Sequence, residues 1–286
     1  MNEEYMRSGA SNEAITKLQE KRNKTGKGII FIAIGALFLV IPPIGLAIIL
    51  YGTHRIQKLR QEMKELYKEA FVREPLMNNF ENVTYEPQWG FPAETVESFQ
   101  LCQMGNQLYS EDYIRASYAG VDFEIAEVRV YDVYSTDDRD EHSTTYFEGR
   151  MMVFHLPDKA VYPMSIFSRK YKHRAISRRE AKQTKVEFES SRFNKAFDVY
   201  AQNEHDAFYL ITPQFMERLE ILADKYADGI ALHMIGNSVA LAISEPGKNA
   251  FDAEIEVGKL DFDKEMAKVQ GEIDDIKMLI TMILNL

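Results

Sequence analysis

The sequence predicts an α+β protein with a membrane anchor near its N-terminus, and three observations support this prediction. An uncharged apolar run extends from Gly28 to Gly52, β-rich runs recur between residues 113 and 243, and an amphipathic helix pattern extends from Phe262 to Ile283. Tight-turn dipeptides join neighbouring β-rich runs, which is typical of antiparallel strands. We therefore expect a mostly antiparallel β-sheet domain with packed helices and a long C-terminal amphipathic helix.

These patterns divide the chain into consecutive segments. They are a polar N-terminal arm over 1–27, a membrane anchor over 28–52, a juxtamembrane helix over 53–80, a soluble α+β domain over 81–258 and a C-terminal amphipathic helix over 259–286.

The anchor is predicted from its length, because roughly 18 or more apolar residues can cross a hydrocarbon core about 30 Å thick. Two prolines in its middle leave two topologies open, a single kinked helix or a re-entrant hairpin. Lysines and arginines flank the run on both sides, which favours the hairpin with both ends in the cytoplasm. The residues expected to contact lipid are Ile29, Phe31, Leu37, Phe38, Pro42, Pro43, Leu46 and Ile49.

The juxtamembrane helix is predicted from apolar residues at alternating steps of three and four. This seam comprises Ile56, Leu59, Met63, Leu66 and Ala70. We expect it to pack on its own domain, with pairing to a second copy as the alternative, and we expect Pro75 to interrupt the helix.

The next region predicts a core residue, a helix and a β-bulge. Trp89 is expected to fill a core, and Ala93 to Leu108 is expected to form a helix that contains the packed residue Cys102. In the strand that follows Ala119-Gly120, the apolar phase slips by one residue after Ile125, which predicts a bulge there.

Two further local signals predict elements in the second half of the chain. Thr212 followed by Pro213 is typical of a helix N-terminus. Gly236-Asn237 between alternating apolar runs predicts a hairpin.

The clearest charge anomaly is the basic segment from Ser168 to Lys185, in which eight lysines and arginines accompany one acid, Glu180. It predicts contact with anionic headgroups or a partner, and a solvated loop between strands is the alternative. The candidate contact residues are Arg169, Lys170, Lys172, Arg174, Arg178 and Arg179.

The C-terminal helix follows a regular four-three spacing. Its seam comprises Met266, Val269, Ile273, Ile276 and Ile280. Isoleucines at both seam positions would suit a homo-oligomeric coiled coil, whereas packing along its own domain is the more common fate of such a stripe.

Composition and motifs argue against several function classes. The formal net charge of -10 argues against general nucleic-acid binding. The single cysteine excludes an intramolecular disulfide and a thiolate metal cluster, and the acidic stretch from Asp132 to Thr145 lacks the spacing of a calcium loop. We therefore expect no metal and no cofactor.

An enzyme remains an alternative. The sequence has no nucleophile elbow, phosphate loop or H-E-x-x-H motif. A hydrolase-like site would have to use scattered groups, such as His155 or His205 with Glu148 or Asp198.

Several ordered motifs resemble a known bacterial family. They are YKEAF, EDYIRASYAGVDFEIAEVRVYDV, TTYFEGRMMVFHL, SSRFNKAFDVYAQNEHDAFYLITPQFMERLEILADKY, GNSVALAIS and NAFDAEI, between Tyr67 and Ile255. The chain is similar here to the domain of unknown function 3137 family. The resemblance implies a membrane-anchored protein with an α+β domain, and it brings no activity or catalytic residues. One apolar run split by prolines stands here where the resemblance implies two separate spans.

The sequence as a whole predicts a non-catalytic module that binds another protein or the membrane surface. We expect it at the bacterial inner (plasma) membrane, with the soluble domain in the cytoplasm; the same domain outside the cytoplasm is an alternative.

Overall fold

The computed structural model describes residues 16–22, 24, 30, 42–135, 141–157, 161–172, 183–252 and 261–285. The fold is α+β, with a large antiparallel sheet and a C-terminal helix, as predicted. The chain divides into two compact units. One comprises Met1–Asn79 with Ala250–Ile273, and the other comprises Phe80–Asn249 with Asp274–Leu286.

The first unit is helical. Helix α1 spans Pro42–Tyr67, a π-helical segment spans Lys68–Arg73, and helix α2 spans Glu74–Asn79. The prediction that Pro75 interrupts the helix is wrong, because right-handed helical backbone continues through Tyr67 and Glu74. The wider π-helical turn before Pro75 relieves the clash that a proline ring makes with the preceding turn of an α-helix.

Aromatic and charged contacts hold this unit together. The Tyr67 ring stacks on Phe71 at 4.9 Å, and Phe71 contacts Phe262 at 5.3 Å. The Tyr67 hydroxyl donates to Glu265 at 2.6 Å. In the predicted seam, Ile56, Met63 and Ala70 are buried and Leu59 and Leu66 are half-buried.

Among the residues that the structure describes, no helix combines the length and the apolar character needed to cross a membrane. Most of the predicted anchor, residues 28, 29 and 31–41, lies outside the described residues.

The second unit is built on the sheet, whose described strands lie in the order β1-β2-β3-β4-β9-β8-β5-β7-β6. All neighbouring strands are antiparallel. The strands are β1 Glu81–Glu86, β2 Gln107–Tyr118, β3 Val121–Ser135, β4 Glu141–His155, β5 Val161–Ser168, β6 Thr184–Val186, β7 Phe197–Ala201, β8 Ile230–Gly236 and β9 Ser238–Ser244.

The remaining helices are α3 Ala93–Phe99, α4 Ser191–Ala196, α5 Glu204–Leu210, α6 Pro213–Lys225 and α7 Phe262–Leu284. Helix α6 begins as predicted, with the Thr212 hydroxyl accepting from the Phe215 N–H at 3.3 Å. Helix α3 is shorter than predicted, because Gln100 adopts a left-handed backbone conformation with φ 54° and ends it. Cys102 therefore lies after the helix, where it is buried.

Strand β3 buries residues on both sides, and this explains why the predicted bulge is not where the sequence placed it. Ile125 and Ala126 pair without interruption with Met152 and Met151 of β4. Against β2 the register shifts opposite the same point, because Glu111 pairs with Glu127 and Ile114 pairs with Ile125, so the extra residue is in β2 and not in β3. One face of β3 is buried at Val121, Phe123 and Ile125 and the other at Ala126, Val128 and Val130, so apolar residues of both phases are buried without an extra residue in β3.

Trp89 is a second correction, because its residue is 72% exposed. The preceding turn is closed by its backbone, with the Trp89 N–H donating to the Glu86 carbonyl at 3.2 Å. The side chain is left outside the core that the neighbouring Phe91 helps to fill.

Candidate functional site: a basic face at one edge of the sheet

The start of the basic segment forms a tight turn after strand β5. The Tyr171 N–H donates to the Ser168 carbonyl at 3.0 Å and closes the turn, and the Arg169 N–H donates to the Ala196 carbonyl at 2.8 Å. Arg169 and Lys170 therefore lie at the tip of an ordered turn.

Tyr171 fixes this turn to the core. Its side chain is buried, and its hydroxyl donates to the Leu101 carbonyl at 2.8 Å. Its ring packs 6.2 Å from that of Phe167 and 6.4 Å from that of Phe147. Burial raises the pKa of Tyr171 well above its ordinary value, so the hydroxyl stays protonated and remains a donor.

A close backbone approach by Gly229, the residue before strand β8, supports the same turn. A Cβ atom added to Gly229 would lie 2.4 Å from the Tyr171 nitrogen, and Gly229 has a φ of +99°. The next N–H, that of Ile230, donates to the buried Ser168 hydroxyl at 2.9 Å. Glycine is the residue that permits both the contact and the positive φ.

Two cations converge on one acid of strand β7, Arg169 from the turn after β5 and Lys185 from the edge strand β6. Arg169 Nη2 lies 3.1 Å and Lys185 Nζ lies 2.9 Å from Asp198 Oδ1. The Arg169 guanidinium also donates to the Asn194 carbonyl of helix α4, at 3.0 and 3.2 Å. Asp198 thus partly offsets two cations and holds them in place.

Lys170 and Lys172 flank the buried Tyr171 and are both exposed. We use the term basic face for Arg169, Lys170, Lys172 and Lys185. The predicted contact residues Arg174, Arg178 and Arg179 lie outside the described residues.

The other predicted contact elements have separate places. In the C-terminal seam Val269, Ile273, Ile276 and Ile280 are buried within the single chain, and Met266 is half-buried. Self-association through this seam would first have to uncover it. Of the predicted anchor residues, Pro42 and Pro43 begin helix α1, Leu46 is exposed and Ile49 is half-buried. Ile29, Phe31, Leu37 and Phe38 lie outside the described residues.

The histidines do not make the pairs considered for a hydrolase. His155 contacts neither Glu148 nor Asp198 through a described ion pair; its Nδ1 lies 3.1 Å from Ser238 Oγ and its Nε2 lies 3.6 Å from Glu124. Glu148 instead accepts from the Gly247 N–H at 3.1 Å. His205 is exposed, its N–H capped by the Asn203 side chain at 3.0 Å.

The row of Ser238, His155 and Glu124 is a constellation that sequence spacing could not reveal, because its members come from strands β9, β4 and β3. The contact with His155 and then the hydrogen bond from Tyr113 lower the pKa of the Glu124 carboxyl. Burial and then Glu124 raise the pKa of Tyr113 to about 12. Glu124 therefore stays ionised beside His155 at neutral pH.

A buried charge cluster was also missed by sequence reasoning. Arg150 is buried, with Nη2 2.5 Å from Glu245 and Nε 4.0 Å from Glu127. Its guanidinium carbon lies 5.7 Å from the ring centre of Tyr226. Among the described residues, no group of three or more His, Cys, Asp or Glu side chains is placed to hold a metal ion.

The sequence and structure were compared with known proteins. No curated protein matches the sequence significantly. The crystal structure of the mycobacterial trehalose monomycolate transport factor A, TtfA, aligns with a TM-score of 0.33 and 10% identity, over 68% of this chain and 88% of that chain.

The family that matches is the one described as protein of unknown function, DUF3137, over residues 145–286. The matched region contains strands β5 to β9, the basic face and helix α7. The resemblance that the sequence motifs suggested is confirmed over residues 145–286, where this chain matches the DUF3137 family model.

Proposed function

We propose that the protein is a membrane-anchored, non-catalytic module that docks onto an anionic membrane surface through its basic face. The observation that carries this proposal is the ordered turn at Arg169 and Lys170, which buried Tyr171 fixes to the core. A cation held outward by a rigid turn loses less conformational freedom on binding than one on an unstructured loop.

The number of cations in the basic face sets the free energy of docking. Each cation near an anionic leaflet contributes about 1 kcal/mol. Asp198 offsets one of the four cations of the basic face, so the remainder favours docking by about 3 kcal/mol, or roughly a hundredfold in the equilibrium constant. Phosphatidylglycerol and other acidic lipids of a bacterial inner leaflet supply the matching anions.

The anchor supports the same location. The uncharged run from Gly28 to Gly52 is long enough to cross a bilayer, or to enter and leave it. Its last part lies in helix α1, where Leu46, Leu50 and Tyr51 are exposed apolar side chains. A lipid environment would cover them.

The test uses the full chain in nanodiscs with a fluorophore at one edge of the sheet. Thr184→Cys places the label in edge strand β6, and Thr84→Cys is the matched control in the opposite edge strand β1; both threonines are exposed. Eight strand spacings separate these edges, about 38 Å. Cys102 is buried and its pKa is raised to about 12, so the added thiol takes the maleimide.

Headgroup nitroxide lipids should quench the Thr184→Cys label in discs that contain phosphatidylglycerol, and NaCl should reverse the quenching. The Thr84→Cys label should stay bright. Equal quenching in pure phosphatidylcholine discs, or none in either lipid, would overturn the proposal.

A second candidate function is hydrolysis, and the Ser238, His155 and Glu124 row favours it. The 3.1 Å contact lets His155 take the Ser238 proton, and ionised Glu124 would stabilise the resulting imidazolium. A fluorophosphonate probe tests whether Ser238 is a nucleophile. Labelling at Ser238 that His155→Gln abolishes would support the hydrolase, and no labelling of the folded chain would exclude a nucleophilic Ser238.

A further inference from the structure

Helix α5 presents two neighbouring aromatic side chains to solvent. Phe208 is 50% exposed and Tyr209 is 72% exposed, whereas Ala207 and Leu210 are buried and hold the helix on the sheet. One exposed aromatic residue is ordinary on a protein surface, but two adjacent ones on an ordered helix indicate a contact site.

A continuous chain of contacts joins this aromatic pair to the basic face. The Phe208 ring lies 5.3 Å from the Phe188 ring, edge to face. The Asn194 side chain accepts from the Phe188 N–H at 3.0 Å and donates to the Phe188 carbonyl at 2.6 Å. The Asn194 carbonyl in turn accepts from Arg169. Ordered contacts therefore link Phe208 of the aromatic pair to Arg169 of the basic face.

The sign of the charge near the aromatic pair indicates which kind of surface binds there. The described residues between Ser168 and Asp198 include six lysines and arginines and three acids, in a protein whose net charge is -10. Glu204 and Asp206 in the first turn of α5 oppose this charge but do not outnumber it. Cations around exposed aromatic rings fit the interface of an anionic bilayer, where phosphates bind the cations and the rings lie at headgroup level.

We propose that Phe208 and Tyr209 insert into the headgroup region of an anionic bilayer when the basic face docks. This inference rests on the proposed function and identifies the side chains that move from water into the bilayer on docking. The Tyr209 ring would lie at the interface with its hydroxyl hydrated, and Phe208 would remain packed on Phe188 beneath it.

The experiment places a fluorescent reporter at the more exposed position. The full chain carries Trp89→Phe, which removes the single native tryptophan, together with Tyr209→Trp. In phosphatidylglycerol discs the emission should shift to shorter wavelength, and lipids with a nitroxide near the top of the acyl chain should quench it. The matched control is Trp89→Phe with Tyr162→Trp, another exposed tyrosine, whose emission should not respond.

A second variant measures the contribution of the ring. Tyr209→Ser removes an exposed side chain and should lower the NaCl concentration that releases the Thr184→Cys label, with a loss of docking of roughly threefold to tenfold. Quenching of the Thr184→Cys label without any response of the tryptophan at 209 would overturn the insertion and leave the proposed function standing. Loss of both signals would overturn the two together.

Discussion

Gly229 connects the stability of the fold to the presentation of the basic face, and Gly229→Ala tests that connection. The new Cβ would lie 2.4 Å from the Tyr171 nitrogen, 2.7 Å from its Cα and 2.8 Å from the Lys170 carbonyl carbon, at a φ of +99°. All three atoms belong to the backbone, so no side-chain rotation relieves the clash. We expect about 1–3 kcal/mol of backbone strain and about 1–3 kcal/mol of overpacking.

A loss of about 4 kcal/mol should lower the Tm of a unit of this size by about 8–16 °C, measured by circular dichroism of the full chain in detergent. The displaced turn should also lower the NaCl concentration that releases the Thr184→Cys label. Two other glycines separate the strain of a positive φ from the clash between the new Cβ and the backbone of the Tyr171 turn. Gly236 has a φ of +62° and Gly271 lies in helix α7, and an added Cβ meets nothing within 4 Å at either position.

Gly236→Ala should therefore cost only the strain of the left-handed conformation, about 1–2 kcal/mol. Gly271→Ala should stabilise the helix by about 0.5–1 kcal/mol. Equal losses for Gly229→Ala and Gly236→Ala would refute the reasoning, because the approach to Tyr171 would then contribute nothing of its own.

Three further predictions concern other parts of the molecule. The Cys102 pKa is raised by burial from 9.0 to about 12, so the unfolded chain loses this proton first and stability should fall as the pH rises from 9 towards 12. Urea titrations should show a smaller fall for Cys102→Ala, and an unchanged slope would contradict the burial argument. Arg150→Met leaves Glu127 and Glu245 without their shared cation and should lower the free energy of unfolding, measured by urea titration, by about 3–5 kcal/mol. In the same titration the exposed Arg129→Met should cost less than about 0.5 kcal/mol. Reporters fused after Leu286 and before Met1 should both be active in the cytoplasm, whereas an external signal at Leu286 would favour one span kinked at the Pro42-Pro43 pair.

Elements with strong local signals could be predicted from the sequence. The Ala119-Gly120 and Gly236-Asn237 turns join β2 to β3 and β8 to β9, as their conformational preferences require. Thr212 and Pro213 supply a cap and a preset φ, so helix α6 begins where these residues stand.

The errors arise where distant residues decide the local conformation. Helix α3 ends at Gln100 although its apolar residues continue, because the chain turns there and Leu101 is buried in the core instead. The π-helical turn before Pro75 accommodates its ring, and no residue preference in the sequence predicts such a turn. The alternation in β3 suggests a slip if one face is buried throughout, whereas the first half of this strand buries one face and the second half buries the other.

The candidate site shows what composition can and cannot predict. The excess of cations from Ser168 to Lys185 was visible, but an ordered contact surface and a solvated loop have the same composition. Tyr171 shows that the described part, residues 168–172, is an ordered turn, because a buried ring whose hydroxyl donates to Leu101 fixes its neighbours. Lys170 and Lys172 are then exposed on either side of a fixed point, and Arg169 is bound to helix α4. A tyrosine inside a basic run therefore supports an ordered cationic surface here more strongly than the number of charges does.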